Sequence, residues 1–211
     1  IQKHFRPLFG IALYPTPCYS KLQQNGSQSL LVSNRNRVKR AVFLDRDGVI
    51  NRAVVRNGKP YSPAILDDFE LLPGVESAIL ALRQTGFLII VVTNQPDVAT
   101  GIQRREVVEA MHGKLLSAGL CDDVKACYHT DADGCGCRKP KPGMLLDAAR
   151  EWQIDLQRSF MVGDRWRDVA AGKAAGCFTF FIDYKYQEQS ADKPDTVVAS
   201  LAEAVELILQ Q

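Results

Sequence analysis

The sequence predicts an α/β fold, a doubly wound, Rossmann-like parallel sheet with helices on both faces. Three observations carry this. Short apolar runs of strand length alternate with stretches of 9 to 15 residues at helical period. The runs lack the polar alternation of a half-exposed sheet, as strands buried on both faces do. Several of them end in small polar or acidic residues, and open parallel sheets gather ligands just beyond the strands' carboxyl ends.

The first run is AVFL, leading straight into Asp45 and Asp47. Two carboxylates at i and i+2 in one crevice repel unless a cation or proton lies between them, so the pair asks for a divalent metal such as magnesium. Asn57-Gly58 is a strong short hairpin signal, and with Val54 and Val55 before it a small flap over the crevice is expected. Pro73-Gly74 opens a helix through Val75, Ala78, Ile79 and Leu82, which ends before Gly86. Residues 87–92 form a second buried strand, ending in Thr93, Asn94 and Gln95.

A helix over 103–117 presents Val107, Val108, Met111 and Leu115 on one face, with His112 read as a helix-face or surface histidine. Strand 124–128, helix 143–152, strand 160–162, helix 168–175, strand 178–182 and helix 201–209 complete the pattern. Gly163-Asp164 turns out of the fourth strand. No repeat period is present.

At 211 residues and 46% apolar content, the chain suits one α/β domain of ordinary size over 40–211. No apolar run approaches the roughly 20 residues of a membrane span, so no membrane partner is expected. The net charge of +2 is uneven. Residues 1–39 lie in an acid-free head whose Lys and Arg residues, counted with Arg40, leave 19 basic against 24 acidic residues for the remainder. That mildly acidic body argues against a nucleic-acid partner. The head is expected to be a disordered or non-native segment, with an organelle transit peptide or upstream sequence left open; Ile1 in place of Met favours upstream sequence. A cytoplasmic monomer is expected.

Cys127-x-His129-x5-Cys135-x-Cys137 offers three thiolates and one imidazole, the complement of a closed, structural tetrahedral zinc site. The clustering suits metal ligation in a reducing compartment rather than a disulfide framework. Cys18, Cys121 and Cys177 read as ordinary thiols.

Taken singly, Thr93-Asn94 reads equally as a helix cap, the loop Arg138-Lys139-Pro140-Lys141 as solvated charge, and Asp164 as a turn acid. Together they are the acids, hydroxyl and amide groups and Lys needed to hold a phosphoryl group. In order along the chain, DRDGVIN, VVTNQ, CRKPKPGM and MVGDRWRD resemble the four motifs of the haloacid dehalogenase-like phosphatases. They are most similar to the branch containing the D-glycero-D-manno-heptose 1,7-bisphosphate phosphatases and the histidinol-phosphate phosphatases.

The resemblance implies a nucleophile at Asp45, forming an aspartyl-phosphate, and a general acid and base at Asp47. It implies magnesium at Asp45, the Asp47 carbonyl and Asp164, and phosphate contacts from Thr93, Asn94 and Lys139. Substrate contacts fall on Arg138, Arg165 and Gln95. The zinc loop would pin Arg138 and Lys139. The gaps between motifs leave no room for a large cap domain, so an open site for a small phosphorylated metabolite is expected.

Two departures bear on substrate. Asp97 and Thr100 stand where relatives carry a small residue and Arg, and Asn51-Arg52-Ala53 replaces NRD. A sugar bisphosphate leads, with histidinol phosphate, or phosphate binding without turnover, as alternatives.

Overall fold

Residues 38–211 are described by the computed structural model. The expectations for the acid-free head, including its targeting role, fall on residues that lie almost wholly outside these. Lys39, assigned to the head from the sequence, belongs to the body: its N–H donates to the Gln153 carbonyl at 3.0 Å, and its carbonyl accepts from Asp155 at 2.8 Å.

The body is built on a six-stranded parallel sheet in the order β5-β4-β1-β6-β7-β8. Its strands are β1 (Ala41–Leu44), β4 (Leu88–Asn94), β5 (Asp123–Cys127), β6 (Phe160–Gly163), β7 (Phe178–Ile182) and β8 (Thr196–Val198). The flap is the separate antiparallel pair β2 (Val54–Arg56) and β3 (Lys59–Tyr61), closed by Asn57-Gly58 as the dipeptide predicts. From β1 the chain winds outward through β4 to β5, then crosses back to β6 and winds the other way. The C-terminal end of β1 is therefore the switch point where a crevice opens.

Period-2 geometry sends alternate residues of β1 to opposite faces. Val42 and Leu44 join one core with Val75, Ile79 and Leu82 of α1 (Val75–Gln84), Met111 and Leu115 of α2 (Arg105–Ser117), and Val205 and Ile208 of α5 (Leu201–Ile208). Ala41 and Phe43 join the other with Met144, Leu145 and Ala148 of α3 (Gly143–Trp152) and Ala171 of α4 (Trp166–Ala175). Four of the five parallel strands foreseen match to within a residue, and β4 extends two residues further, through Thr93 and Asn94. Strand β8 was not foreseen, because three residues are too few to show a period.

Helix α2 starts two residues later than its period suggests, since Gln103 is drawn off to donate from Nε2 to the Pro63 carbonyl at 2.8 Å. Helix α4 starts two residues earlier, because Asp168 reaches back to accept from the Arg165 N–H at 2.9 Å. Of the two readings of His112, the helix face holds and the surface does not: it is buried beside Val108, Met111 and Leu115. Among the described residues, the flap, the cysteine loop and Glu188 of the connection between β7 and β8 border the crevice, and no large cap is present. No helix among them is long and apolar enough to cross a membrane.

Candidate active site

Each sheet strand that borders the switch point delivers one part of the site. Beyond β1, the carbonyl of Arg46 accepts from the N–H groups of Ile50 and Asn51, winding DRDGVIN into a tight turn. Gly48 sits at φ +91°, and a Cβ there would lie 1.9 Å from Asp164 Oδ2, so only glycine lets the turn pass this close to the carboxylate. At the end of β6, Gly163 and then Asp164 lead into α4, whose first turn points Asp168 back into the crevice.

These turns bring Asp45, Asp164 and Asp168 together, one oxygen from each within 4.8 Å of the others, all three buried. Lys139 enters from the loop after β5. Its Nζ donates to Asp45 Oδ1 at 2.8 Å, Asp168 Oδ1 at 2.6 Å and the Val92 carbonyl at 2.7 Å, so all three ammonium protons are engaged. Burial alone would push the Lys139 pKa down, but Asp168 and Asp45 outweigh it and hold the group protonated.

Three carboxylates against one ammonium leave two negative charges uncompensated when all are ionised, and a divalent cation supplies the balance. Burial, with Asp45 and Asp168 nearby, pushes the Asp164 carboxyl well above its ordinary pKa. Neither Asp164 oxygen has a hydrogen-bond partner. Buried polar atoms are seldom left this way, and hard oxygen donors of this charge suit a divalent metal ion. The Asp45 carboxyl is held up at about 6, by burial first, against the opposing pull of Lys139.

Asp47 is expected to meet the metal through its backbone carbonyl, which leaves its carboxylate to act as acid and base. That carboxylate accepts from Arg46 at 2.9 Å, Asn51 Nδ2 at 2.9 Å and Gln95 Nε2 at 2.9 Å. Gln95, expected to touch substrate, therefore orients Asp47. It also donates to Thr93 Oγ1 at 2.9 Å, which leaves the Thr93 O–H free to donate to a ligand. The Asn94 side chain is taken up by the backbone of Lys139, as donor to its carbonyl at 3.0 Å and acceptor from its N–H at 3.1 Å.

A cleft of about 370 Å³ opens above, walled by the flap residues Lys59, Pro60 and Tyr61, by Asp97, and by Arg138, Arg165 and Arg167. Arg138 donates to Asp131 Oδ1 at 2.8 Å, and Arg167 reaches the same carboxylate at 3.2 and 3.3 Å. Arg165 is paired with Glu188. Asp168, Arg167, Lys59 and Glu188 were missed from the sequence. The second aspartate of MVGDRWRD was the available signal for Asp168, four residues after Asp164.

The loop between β5 and α3 gathers Cys127, His129, Cys135 and Cys137. Cys127 Sγ lies 3.6 Å from His129 Nδ1, 3.7 Å from Cys135 Sγ and 3.3 Å from Cys137 Sγ. Cys137 Sγ lies 3.4 Å from both His129 Nδ1 and Cys135 Sγ. A tetrahedral ion with bonds of about 2.3 Å to sulfur and 2.0 Å to nitrogen sets edges of about 3.8 and 3.6 Å, whereas a disulfide would need about 2.05 Å. The thiols are free, and the four residues form a cluster able to hold a metal ion. Cys121 and Cys177 are buried thiols, as expected.

Residues 61–176 match the family model of the haloacid dehalogenase-like hydrolases. D-glycero-beta-D-manno-heptose-1,7-bisphosphate 7-phosphatase of Photorhabdus laumondii is 41% identical over 147 residues, 64% of this chain and 75% of that protein. The protein of the same name from Haemophilus ducreyi is 34% identical over 79% of this chain and 97% of its own length. A crystal structure of D,D-heptose 1,7-bisphosphate phosphatase from B. bronchiseptica, complexed with magnesium and phosphate, superposes with a TM-score of 0.71 at 32% identity, covering 81% of this chain and 98% of that one. With the sheet order, the acidic cluster and a family match over more than half of its length, this chain belongs to the haloacid dehalogenase-like hydrolases.

Proposed function

We propose that the chain is a magnesium-dependent phosphatase that removes the 7-phosphate of D-glycero-D-manno-heptose 1,7-bisphosphate through an aspartyl-phosphate on Asp45. The observation that carries this reading is the ammonium of Lys139 between Asp45 and Asp168, with Asp164 unpartnered beside them at the switch point. A non-catalytic phosphate binder has no use for a buried carboxylate aimed at its own anionic ligand.

Asp45, Asp164 and the Asp47 carbonyl are the groups that hold the metal, with Asp168 close by. When bound, magnesium supplies charge that offsets both the buried carboxylates and the transferring phosphoryl oxygens. An Asp45 oxygen attacks phosphorus while the bond to the leaving oxygen breaks, its electron pair going to that oxygen and Asp47 giving it a proton. Asp47, now a carboxylate, takes a proton from water, whose oxygen attacks phosphorus and releases Asp45 and inorganic phosphate. The free O–H of Thr93 and the charge of Lys139 stabilise the phosphoryl oxygens, and Asn94 acts by holding Lys139 in place.

The names of the relatives and the cations Arg138 and Arg167 on the cleft wall support a second anionic group on the substrate. The cysteine loop takes zinc, which fixes the segment that presents Arg138 and Lys139.

The test is phosphate release from heptose 1,7-bisphosphate, histidinol phosphate and 3′-phosphorylated oligonucleotides with magnesium present. A kcat/KM at least about tenfold higher for the heptose compound, some 1.4 kcal/mol of transition-state preference, is expected. Preference for histidinol phosphate would overturn the substrate, and no release from any of them would overturn the phosphatase reading.

A further inference from the structure

Arg46 is the largest side chain with no exposed surface among the described residues, and neither it nor His112 lines the cleft. A buried guanidinium must place its five N–H donors, and it has no acceptor of its own. One edge of the Arg46 fork meets Asp47, with Nε 3.4 Å from Oδ1 and Nη2 2.9 Å from Oδ2. Nη2 also donates to Ser62 Oγ of the flap connection at 2.6 Å. The opposite end, Nη1, lies 3.0 Å from His112 Nε2.

Because the guanidinium can only donate, His112 Nε2 must be the acceptor. The imidazole is therefore neutral and carries its proton on Nδ1, which faces Glu109 Oε2 at 3.8 Å. Burial first, and the guanidinium second, push the His112 pKa down to about 4, so this form persists at neutral pH. Glu109 is itself anchored by the Tyr128 hydroxyl at 2.6 Å. Helix α2 thus carries a polar acceptor at a buried position otherwise flanked by Val108, Met111 and Leu115, and spends it on the far end of the Arg46 fork.

We propose that His112 is a positioning residue for the proton transfers of Asp47: as acceptor at one end of the Arg46 fork, it fixes the guanidinium edge that aims the Asp47 carboxylate at the leaving oxygen. This rests on the phosphatase reading, in which Asp47 protonates that oxygen. Without His112 the fork can turn about its Nε bond and follow Ser62 or water, and the carboxylate loses two of its four donors together.

The test compares His112→Gln with His112→Asn, both polar and both smaller than histidine. Glutamine carries an acceptor out to the position of Nε2, whereas asparagine reaches only as far as Nδ1. Steady-state kinetics are read on two substrates, the best sugar phosphate of the screen and p-nitrophenyl phosphate, whose phenolate leaves with little need of a proton. The asparagine variant should lose at least about tenfold in kcat on the sugar phosphate, the lower part of what a general acid contributes, with KM within about threefold. On p-nitrophenyl phosphate, which dispenses with the acid but still needs Asp47 as base toward water, its loss should be at least about threefold smaller than on the sugar phosphate, and the glutamine variant should stay within about threefold of wild type on both substrates.

Equal losses on the two substrates, or glutamine and asparagine behaving alike, would overturn the proposal in favour of a purely structural histidine. If the asparagine variant does not fold, Arg46→Lys, which keeps the charge and loses the fork, carries the same expectation and the same refutation. A wild-type chain that releases no phosphate refutes the phosphatase reading. A normal wild type beside an unimpaired asparagine variant refutes only the role of His112.

Discussion

Asn94 grips the backbone of Lys139 from both sides, its amide nitrogen donating to the Lys139 carbonyl at 3.0 Å and its amide oxygen accepting from the Lys139 N–H at 3.1 Å. The end of β4 thereby fixes a loop 45 residues further along the chain. The ammonium of that loop is the only cation the three buried aspartates touch among the described residues. Replacing Asn94 with Ala should lower kcat/KM by about 10- to 100-fold, because a displacement near 1 Å of a charged group in the site carries a cost of that size. Steady-state kinetics on the best substrate of the screen check this, and an unimpaired variant would show that Lys139 is held without the clamp.

Replacing Asp45 with Asn keeps the shape of the side chain and removes the nucleophile. Turnover should fall below about 1% of wild type, since loss of a covalent nucleophile costs several orders of magnitude. Thermal stability should not fall, because a carboxyl that burial holds up at about 6 is not favoured by its surroundings. Residual activity well above that level would rule out an aspartyl-phosphate at this position.

The two metal clusters should part company under chelation. Oxygen donors exchange magnesium readily, while a thiolate and imidazole set holds zinc with an apparent strength on the order of 10 kcal/mol. A brief weak chelator should stop catalysis, and magnesium alone should restore it. Cys135→Ser should instead lower melting temperature and substrate affinity together, because the loop bearing Arg138 and Lys139 comes loose. Elemental analysis of protein purified without chelators should find near one zinc per chain, and its absence would remove zinc from that loop.

Asp195 tethers the outermost strand. Its Oδ2 accepts from the Thr179 N–H at 2.8 Å and the Thr179 hydroxyl at 2.6 Å. Burial, the largest single influence, pushes its pKa up, but the Thr179 hydroxyl and N–H together with the Lys173 charge outweigh it and hold the carboxyl below its usual value. A depressed carboxyl adds stability above the unfolded value near 3.9, and that contribution is lost as pH falls through the folded value. Asp195→Asn should lower the melting temperature at pH 7 by at most about 2 to 4 °C, the shift of 1 kcal/mol for a domain this size, given the exposure of the group. The gap to wild type should close below about pH 4. A gap that widens in acid would show the sign to be wrong.

How much could be read beforehand follows from what each residue displays. Buried strands announce themselves as apolar runs, so β1, β4, β6 and β7 and the polar residues at their ends were legible, as was the flap through Asn57-Gly58. The cysteine spacing made the Cys/His cluster legible as well. Side-chain direction was not. Asp168 stands in the first turn of α4, where an acid is ordinary at a helix N-terminus, and nothing in the sequence says that one of its oxygens turns to Lys139. Arg46 sits in a loop motif, where a cation reads as solvated, yet it is fully buried because Asp47, Ser62 and His112 share its donors. Gln95 is expected on the substrate, and its amide instead turns to the Asp47 carboxylate. Such pairings depend on which loops end up facing, and that is decided by the sheet order.

Strand β1 takes β4 as its neighbour on one side and β6 on the other, and β6 begins more than 110 residues later, with the Ala41 N–H bonded to Ser159 Oγ. On a ribosome the β1-β4-β5 half is complete while the other flank of β1 still lacks its partner. For that interval an apolar strand, Ala41–Leu44, stands as an open edge, the kind of template on which unfinished chains pair with one another. Expression yield should therefore respond to substitutions in β6, such as Met161→Lys, through aggregation of nascent chains. The same half-built protein has Asp45 but neither Asp164 nor Asp168, so it should bind magnesium only weakly until its last third has been made.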